Sequence, residues 1–125
     1  MIRNQLKPHV HSCLTHPGGA IALDLFFKGN IKLRIISVYL SSTDSAKRNL
    51  TQNTVINWIL QAQQLNLQPI ILGDFNTHDT TASSSAKYKL INFLHRFNMF
   101  DIGAHFNNTH YTWTNNSRSS RIDYI

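Results

Sequence analysis

Apolar and polar positions change their spacing several times along this chain, and each change marks an element. "AIALDLFF" (20–27) and "IKLRIISVYL" (31–40) are apolar, β-branched runs separated by "KGN". A short turn containing glycine between two such runs predicts a β-hairpin. From Thr51 to Leu67 the period lengthens: Val55, Ile56, Ile59, Leu60 and Ala62 recur at three and four, which predicts an amphipathic helix. Pro69 closes that segment, and "IIL" (70–72) reads as a short strand buried on both faces. "THDTTASSSA" (77–86) is a polar loop able to cap the next helix with one of its serines. That helix is predicted over Lys87 to Phe97, with Leu90, Ile91 and Leu94 inward and Asn98 as a left-handed stop. "YTWT" (111–114) and "SRIDYI" (120–125) predict two further strands joined by "NNSRS". Residues 1–19 show neither period and read as an irregular N-terminal segment. The order of strands, helix, strand, helix, strands predicts an α/β or α+β domain built of layered sheet and helix.

Composition narrows the class. The 125 residues make one domain, 42% hydrophobic and only 14% charged, so the chain has a core and is not a disordered polyelectrolyte. The formal charge of +6 suits a polyanionic partner such as nucleic acid, although the Lys and Arg residues are scattered. Cys13 stands alone, which excludes an internal disulfide. No run reaches membrane-spanning length, and "MIRNQLKPHVHS" has no signal-peptide core. A soluble, intracellular protein is therefore expected. All the acidic residues are aspartates, namely Asp24, Asp44, Asp74, Asp79, Asp101 and Asp123, and there is no glutamate. Chemistry that requires a glutamate is not available within these residues.

The candidate chemistry sits at strand ends. In "IILGDFNTHD" (70–79) a strand runs straight into Gly73, Asp74, Phe75 and Asn76. Gly, Asp and Asn are also ordinary turn residues, so the stretch alone is ambiguous. A carboxylate fixed by a strand and exposed by a loop can hold a divalent cation or a water, and an Asn two residues on can donate to a phosphate oxygen. Asp123, between Ile122 and Tyr124, faces away from both and needs a metal, histidine or arginine partner. Tyr39 closes "RIISVY", where the ordinary expectation is a core ring with a wet hydroxyl.

"IISVY", "ILGDFN" and "SRIDYI", in this order and spacing, resemble the endonuclease/exonuclease/phosphatase superfamily with its DNase I-like fold. Within it, the likeness is to the endonuclease domains of non-LTR retroelements and runs from about Ala20 to Ile125. The resemblance implies the central portion of a four-layer α/β/β/α sandwich, with two mostly antiparallel sheets flanked by helices. It implies Mg²⁺-dependent hydrolysis of a phosphodiester, with DNA as the expected partner. Asp74 would hold or activate the attacking water beside the Mg²⁺ and serve as metal residue. Asn76 would bind the scissile phosphate and Tyr39 would stabilise the transition state. Asp123 would orient a catalytic histidine, while Thr112 and Ser120 match substrate-contacting positions.

Two parts of the family pattern have no counterpart in the chain. An upstream metal-binding Glu and a downstream Ser-Asp-His are absent, so the reading is of residues 20–125 as a domain truncated at both ends, with no useful cleavage expected from this chain alone. Two alternatives follow: a non-catalytic remnant that binds nucleic acid, or a phosphatase of the same superfamily. His9, His11, Cys13 and His16 are zinc-ligand types, but their spacing fits no common structural zinc module. His78 reads as a loop residue, His95 as lying at the core boundary, and His105 and His110 as surface residues.

Overall fold

The computed structural model of the chain describes residues 2–77, 85–106, 110–115 and 118–125. A single 3-10 turn, Lys7–His9, leads into β1, Val10–His16. Strands β2 (Ala20–Phe27) and β3 (Ile31–Tyr39) form the expected hairpin, paired from Ala20↔Val38 to Phe27↔Ile31. Gly29 and Asn30 turn the chain with φ of 78° and 60°, a region open to glycine and tolerated by asparagine. β1 pairs with the outer edge of β2, with a register irregularity between Val10 and Ser12. The expectation that residues 1–19 are irregular is thereby corrected. Val10, Ser12, Leu14 and His16 do alternate with more exposed neighbours. With mostly polar residues in the alternation there is no hydrophobic signal to read, and pairing with β2 supplies what composition does not.

Helix α1, Ser45–Gln64, begins well before Thr51. Asp44 caps it, accepting from the Lys47 N–H at 2.9 Å. Its buried stripe is Arg48, Thr51, Gln52, Val55, Ile59 and Ala62, so the first half is polar and the apolar period shows only in the second. Asn66 ends the helix at φ 55°, with Leu67 N–H donating to the Ala62 carbonyl at 2.8 Å and Asn66 N–H to that of Gln63 at 3.1 Å. The chain then enters β4, Gln68–Asp74, parallel to β3. Parallel neighbours need a crossover, and α1 supplies it.

A 3-10 turn at Ala86–Tyr88, capped by Ser85, precedes α2, Lys89–Arg96. Asn98 is the left-handed stop, at φ 56°. Leu90 and Ile91 are buried and Leu94 packs against the core, whereas His95 is exposed and not at the core boundary. Short α3 (Ile102–His105) follows, then β5 (Trp113–Asn115), β6 (Arg118–Ser120) and β7 (Asp123–Tyr124). The single strand expected over "SRIDYI" is thus divided, with Ser120 ending β6 and Asp123 opening β7. β5 and β6 form a two-stranded antiparallel sheet, and the main sheet runs β1-β2-β3-β4-β7. The class is α+β. Among the described residues no helix is long and apolar enough to cross a membrane.

Helices α1 and α2 cover one face of the main sheet around Ile36, Val38, Leu40, Val55, Ile59, Ile71, Phe75 and Leu90. Within that layer lies an ion pair. Arg34 Nε and Nη2 donate to Asp24 Oδ1 and Oδ2 at 2.6 and 2.7 Å. Arg34 Nη1 donates to the Trp58 carbonyl and Gln61 Oε1 at 2.9 and 2.8 Å, and Ser12 Oγ donates to Asp24 Oδ2 at 2.7 Å. Paired on both sides, the two charges join β1, β2, β3 and α1.

Candidate active site

Three of the residues singled out by sequence share one row of the main sheet. Tyr39 is the register partner of Asp74 across β3 and β4, and Asp74 is the partner of Asp123 across β4 and β7. Adjacent partners lie about 5 Å apart at Cα. Tyr39 is 51% exposed, so it is not the core ring that a strand-end tyrosine ordinarily is. Asp74 is half-buried and Asp123 exposed. Two carboxylates directly opposite each other repel, an arrangement a sheet avoids unless something cationic joins them.

Gly73 makes the approach possible. Its φ is 136°, and a Cβ there would stand 2.0 Å from the Val38 carbonyl oxygen. Any side chain at this position would push β3 and β4 apart just before the row. After it, the chain makes a tight corner: Asn76 takes φ 46°, and its N–H donates to Asp74 Oδ1 at 2.8 Å. Asn76 Nδ2 donates to the Leu40 carbonyl at 2.7 Å, while Leu40 N–H donates to the Asp74 carbonyl at 2.9 Å. The end of β3 and the end of β4 are therefore laced together, and the second amide hydrogen of Asn76 meets no acceptor among the described residues.

Phe75 turns the other way, into the core, meeting Tyr124 edge-on at 5.2 Å. The Tyr124 hydroxyl shares its one proton between the Thr77 and Arg121 carbonyls, at 3.1 and 2.9 Å, which pins β7 against β4. Thr112 acts from below: its Oγ1 accepts from the N–H groups of Ile122 and Asp123 at 3.0 and 3.2 Å. Its N–H donates to the Ser120 carbonyl at 3.1 Å. Thr112 and Ser120 are thus joined to each other and to the strand that carries Asp123. His78 and Asp79 lie outside the described residues.

Electrostatics follow this geometry. Burial raises the Asp74 carboxyl above its ordinary value and the charge of Asp123 adds to the effect, while the Asn76 N–H and the charge of Arg48 oppose it. Periodicity did not find Arg48, because it lies in the polar first half of α1, ahead of the apolar repeat. The donor set is carboxylate oxygen, with no group of three or more His, Cys or Asp side chains among the described residues. That suits a hard cation such as Mg²⁺, which takes one or two carboxylates and completes its shell with water and phosphate oxygens. It does not suit zinc. His9 bonds through Nδ1 to the Phe26 carbonyl at 3.0 Å, His11 stacks on the Phe26 ring, and His16 pairs with Thr54.

A mixed sheet with helices on one face carries an Asp-Phe-Asn corner set against a second aspartate, within an α+β domain. Residues 33–125 match the model of the endonuclease-reverse transcriptase family, and the chain belongs to that family, within the endonuclease/exonuclease/phosphatase superfamily. Among solved structures it is similar to a conserved protein of unknown function from Enterococcus faecalis, at 20% identity and a TM-score of 0.50. The match covers 89% of this chain but 46% of that one, so the chain spans about half the length of its structural relative. No curated protein matches it.

Proposed function

We propose that the chain carries part of a Mg²⁺-dependent phosphodiester hydrolase of endonuclease type, acting on nucleic acid, with DNA as the expected substrate and a retroelement enzyme as the expected parent. The observation behind this reading is the row of Tyr39, Asp74 and Asp123 beside the Asn76 corner, within a chain of this family. Asp74 would hold the attacking water and be the protein ligand of the cation, whose charge would offset the Asp74–Asp123 repulsion and polarise the phosphate. Asn76, already oriented by Leu40, donates its remaining amide hydrogen to a phosphate oxygen. Tyr39 presents a phenol at the exposed end of β3, to stabilise the charge carried by the phosphoryl oxygens in the transition state. Asp123 orients an acid–base histidine, for which no described histidine serves as hydrogen-bond partner. Thr112 and Ser120 hold the nucleic-acid side of the site.

A second reading, binding of nucleic acid without cleavage, is favoured by the net charge of +6 together with the absence of glutamate. Nicking of supercoiled plasmid in Mg²⁺ separates the two, with EDTA and Asp74→Ala as controls and p-nitrophenyl phosphate as a monoester substrate. The hydrolase reading expects at most slow nicking from a chain without glutamate, and that nicking requires Mg²⁺ and disappears in Asp74→Ala. Plasmid binding with no nicking supports the second reading, and monoester hydrolysis exceeding nicking supports a phosphatase.

A further inference from the structure

Arg48 is 5% exposed, yet its guanidinium has no carboxylate within ion-pair distance among the described residues. Nε donates to the Ser41 carbonyl at 2.7 Å and Nη2 donates to the same oxygen. Nη1 is buried with no hydrogen-bond partner among the described residues. A buried, incompletely satisfied guanidinium is costly, and folds seldom keep one without a return. Its position suggests what that return is. Ser41 follows Leu40, the residue whose carbonyl takes the Asn76 amide and whose N–H holds the Asp74 carbonyl. Ser41 Oγ also accepts from the Asp44 N–H at 3.0 Å, at the cap of α1. One side chain from the helix therefore clamps the peptide immediately after the one whose carbonyl holds Asn76.

We propose that Arg48 is a positioning residue of the candidate active site. By gripping the Ser41 carbonyl it fixes the Leu40–Ser41 corner, and through that corner it sets Asn76 and the end of β3 that carries Tyr39. Its positive charge lies behind a site that receives an anionic phosphodiester, where a carboxylate partner would cancel it. The inference rests on the hydrolase reading for the substrate, and on geometry alone for the clamp.

The test uses the full chain with Arg48→Met, which removes both donor fork and charge, and Arg48→Lys, which keeps the charge and one donor direction. Two signals are read: the Asn76 side-chain amide resonances, and the steady-state kinetics of Mg²⁺-dependent plasmid nicking. In Arg48→Met the Asn76 amide signals should move to solvent-like positions while the Ile36 amide, in the middle of β3, stays where it was. Nicking should lose roughly 10–100-fold in kcat with KM within about threefold, the pattern of a group acting on the transition state. Arg48→Lys should recover part of both. Where Arg48→Met does not fold, Arg48→Lys alone must show the intermediate amide shift and kcat. Unchanged Asn76 signals in a folded variant, or a loss confined to KM, overturn the proposal. A wild-type chain that does not nick counts against the hydrolase reading alone, and the amide signals still decide the role of Arg48.

Discussion

Gly73 and Asp74 are adjacent and do opposite things for stability. With φ at 136° and the Val38 carbonyl in the place of a Cβ, Gly73→Ala must either strain the backbone or part β3 from β4. The expected loss is about 2 kcal/mol or more, read as a lower urea midpoint with an unchanged slope. A loss under about 0.5 kcal/mol would show that the strands adjust freely. Asp74 should work the other way. Because burial and Asp123 raise its carboxyl in the folded chain, the native state binds this proton more readily than the unfolded state. Stability then falls as pH rises through that elevated value. Asp74→Asn keeps the acceptor for the Asn76 N–H and removes the charge, so at neutral pH its Tm should rise by about 2–4 °C while Mg²⁺-dependent function is lost. At this scale the site was partly legible. Asp74, Asn76, Tyr39 and Asp123 could be named from strand-end motifs, and register brings three of them into one row. Arg48 and the Leu40 carbonyl could not be named. One looks like any helix-surface arginine and the other is backbone, so neither has a side-chain pattern that announces it.

The elements were legible where hydrophobic period or turn chemistry carried the signal. The β2–β3 hairpin, the strand β4 and the asparagine stop of α2 all followed from that. β4 is not buried on both faces as expected, however: Ile71 is buried while Ile70 and Leu72 are only half-buried, because helices cover one face alone. β1 and the start of α1 did not follow, because both pack polar side chains where an apolar repeat would have been visible. Gln52 shows how: its side chain donates to the Ala86 carbonyl and accepts from the Leu90 N–H, both at 2.9 Å, joining α1 to α2 through polar contacts inside the core. Asp24 and Arg34 do the same between strands, and they give the fold its acid sensitivity. Burial pushes the Asp24 carboxyl up, but the hydrogen bonds from Arg34 and Ser12 and the Arg34 charge together bring it below its ordinary value. For Asp101 the hydrogen bond from Arg121 is the largest influence and lowers the carboxyl despite burial. A depressed folded value means stabilisation that is complete above about pH 3.9 and is lost as pH falls through the folded value. Tm should therefore drop steeply below about pH 4. Arg34→Met strands a buried carboxylate and should cost about 3–5 kcal/mol at pH 7, and acidification toward pH 4 should now raise its Tm. Replacing both partners, Asp24→Leu with Arg34→Met, should recover most of the loss. If the single variant is as stable as wild type, the pair does not join these elements as described.

At the scale of the whole molecule, the α+β class and the superfamily were readable from three ordered motifs, and the match over residues 33–125 agrees with them. The division of the last segment into β6 and β7 was not readable, because "SRIDYI" looks like one continuous strand and only its pairing with two different partners separates it. The complement of groups also bears on rate. A chain without glutamate, whose row has Asp74 and Asp123 as its only carboxylates, should hold Mg²⁺ weakly and turn over slowly. The most direct test is a Mg²⁺ titration of the ¹⁵N-labelled chain followed by NMR, beside Asp74→Asn. A site at this row predicts fast-exchange shifts in the amides of Tyr39, Asp74, Asn76 and Asp123, saturating on the order of millimolar Mg²⁺ and absent from Asp74→Asn. Shifts centred instead on His9 and His11, or none at the row in the folded wild-type chain, would contradict it.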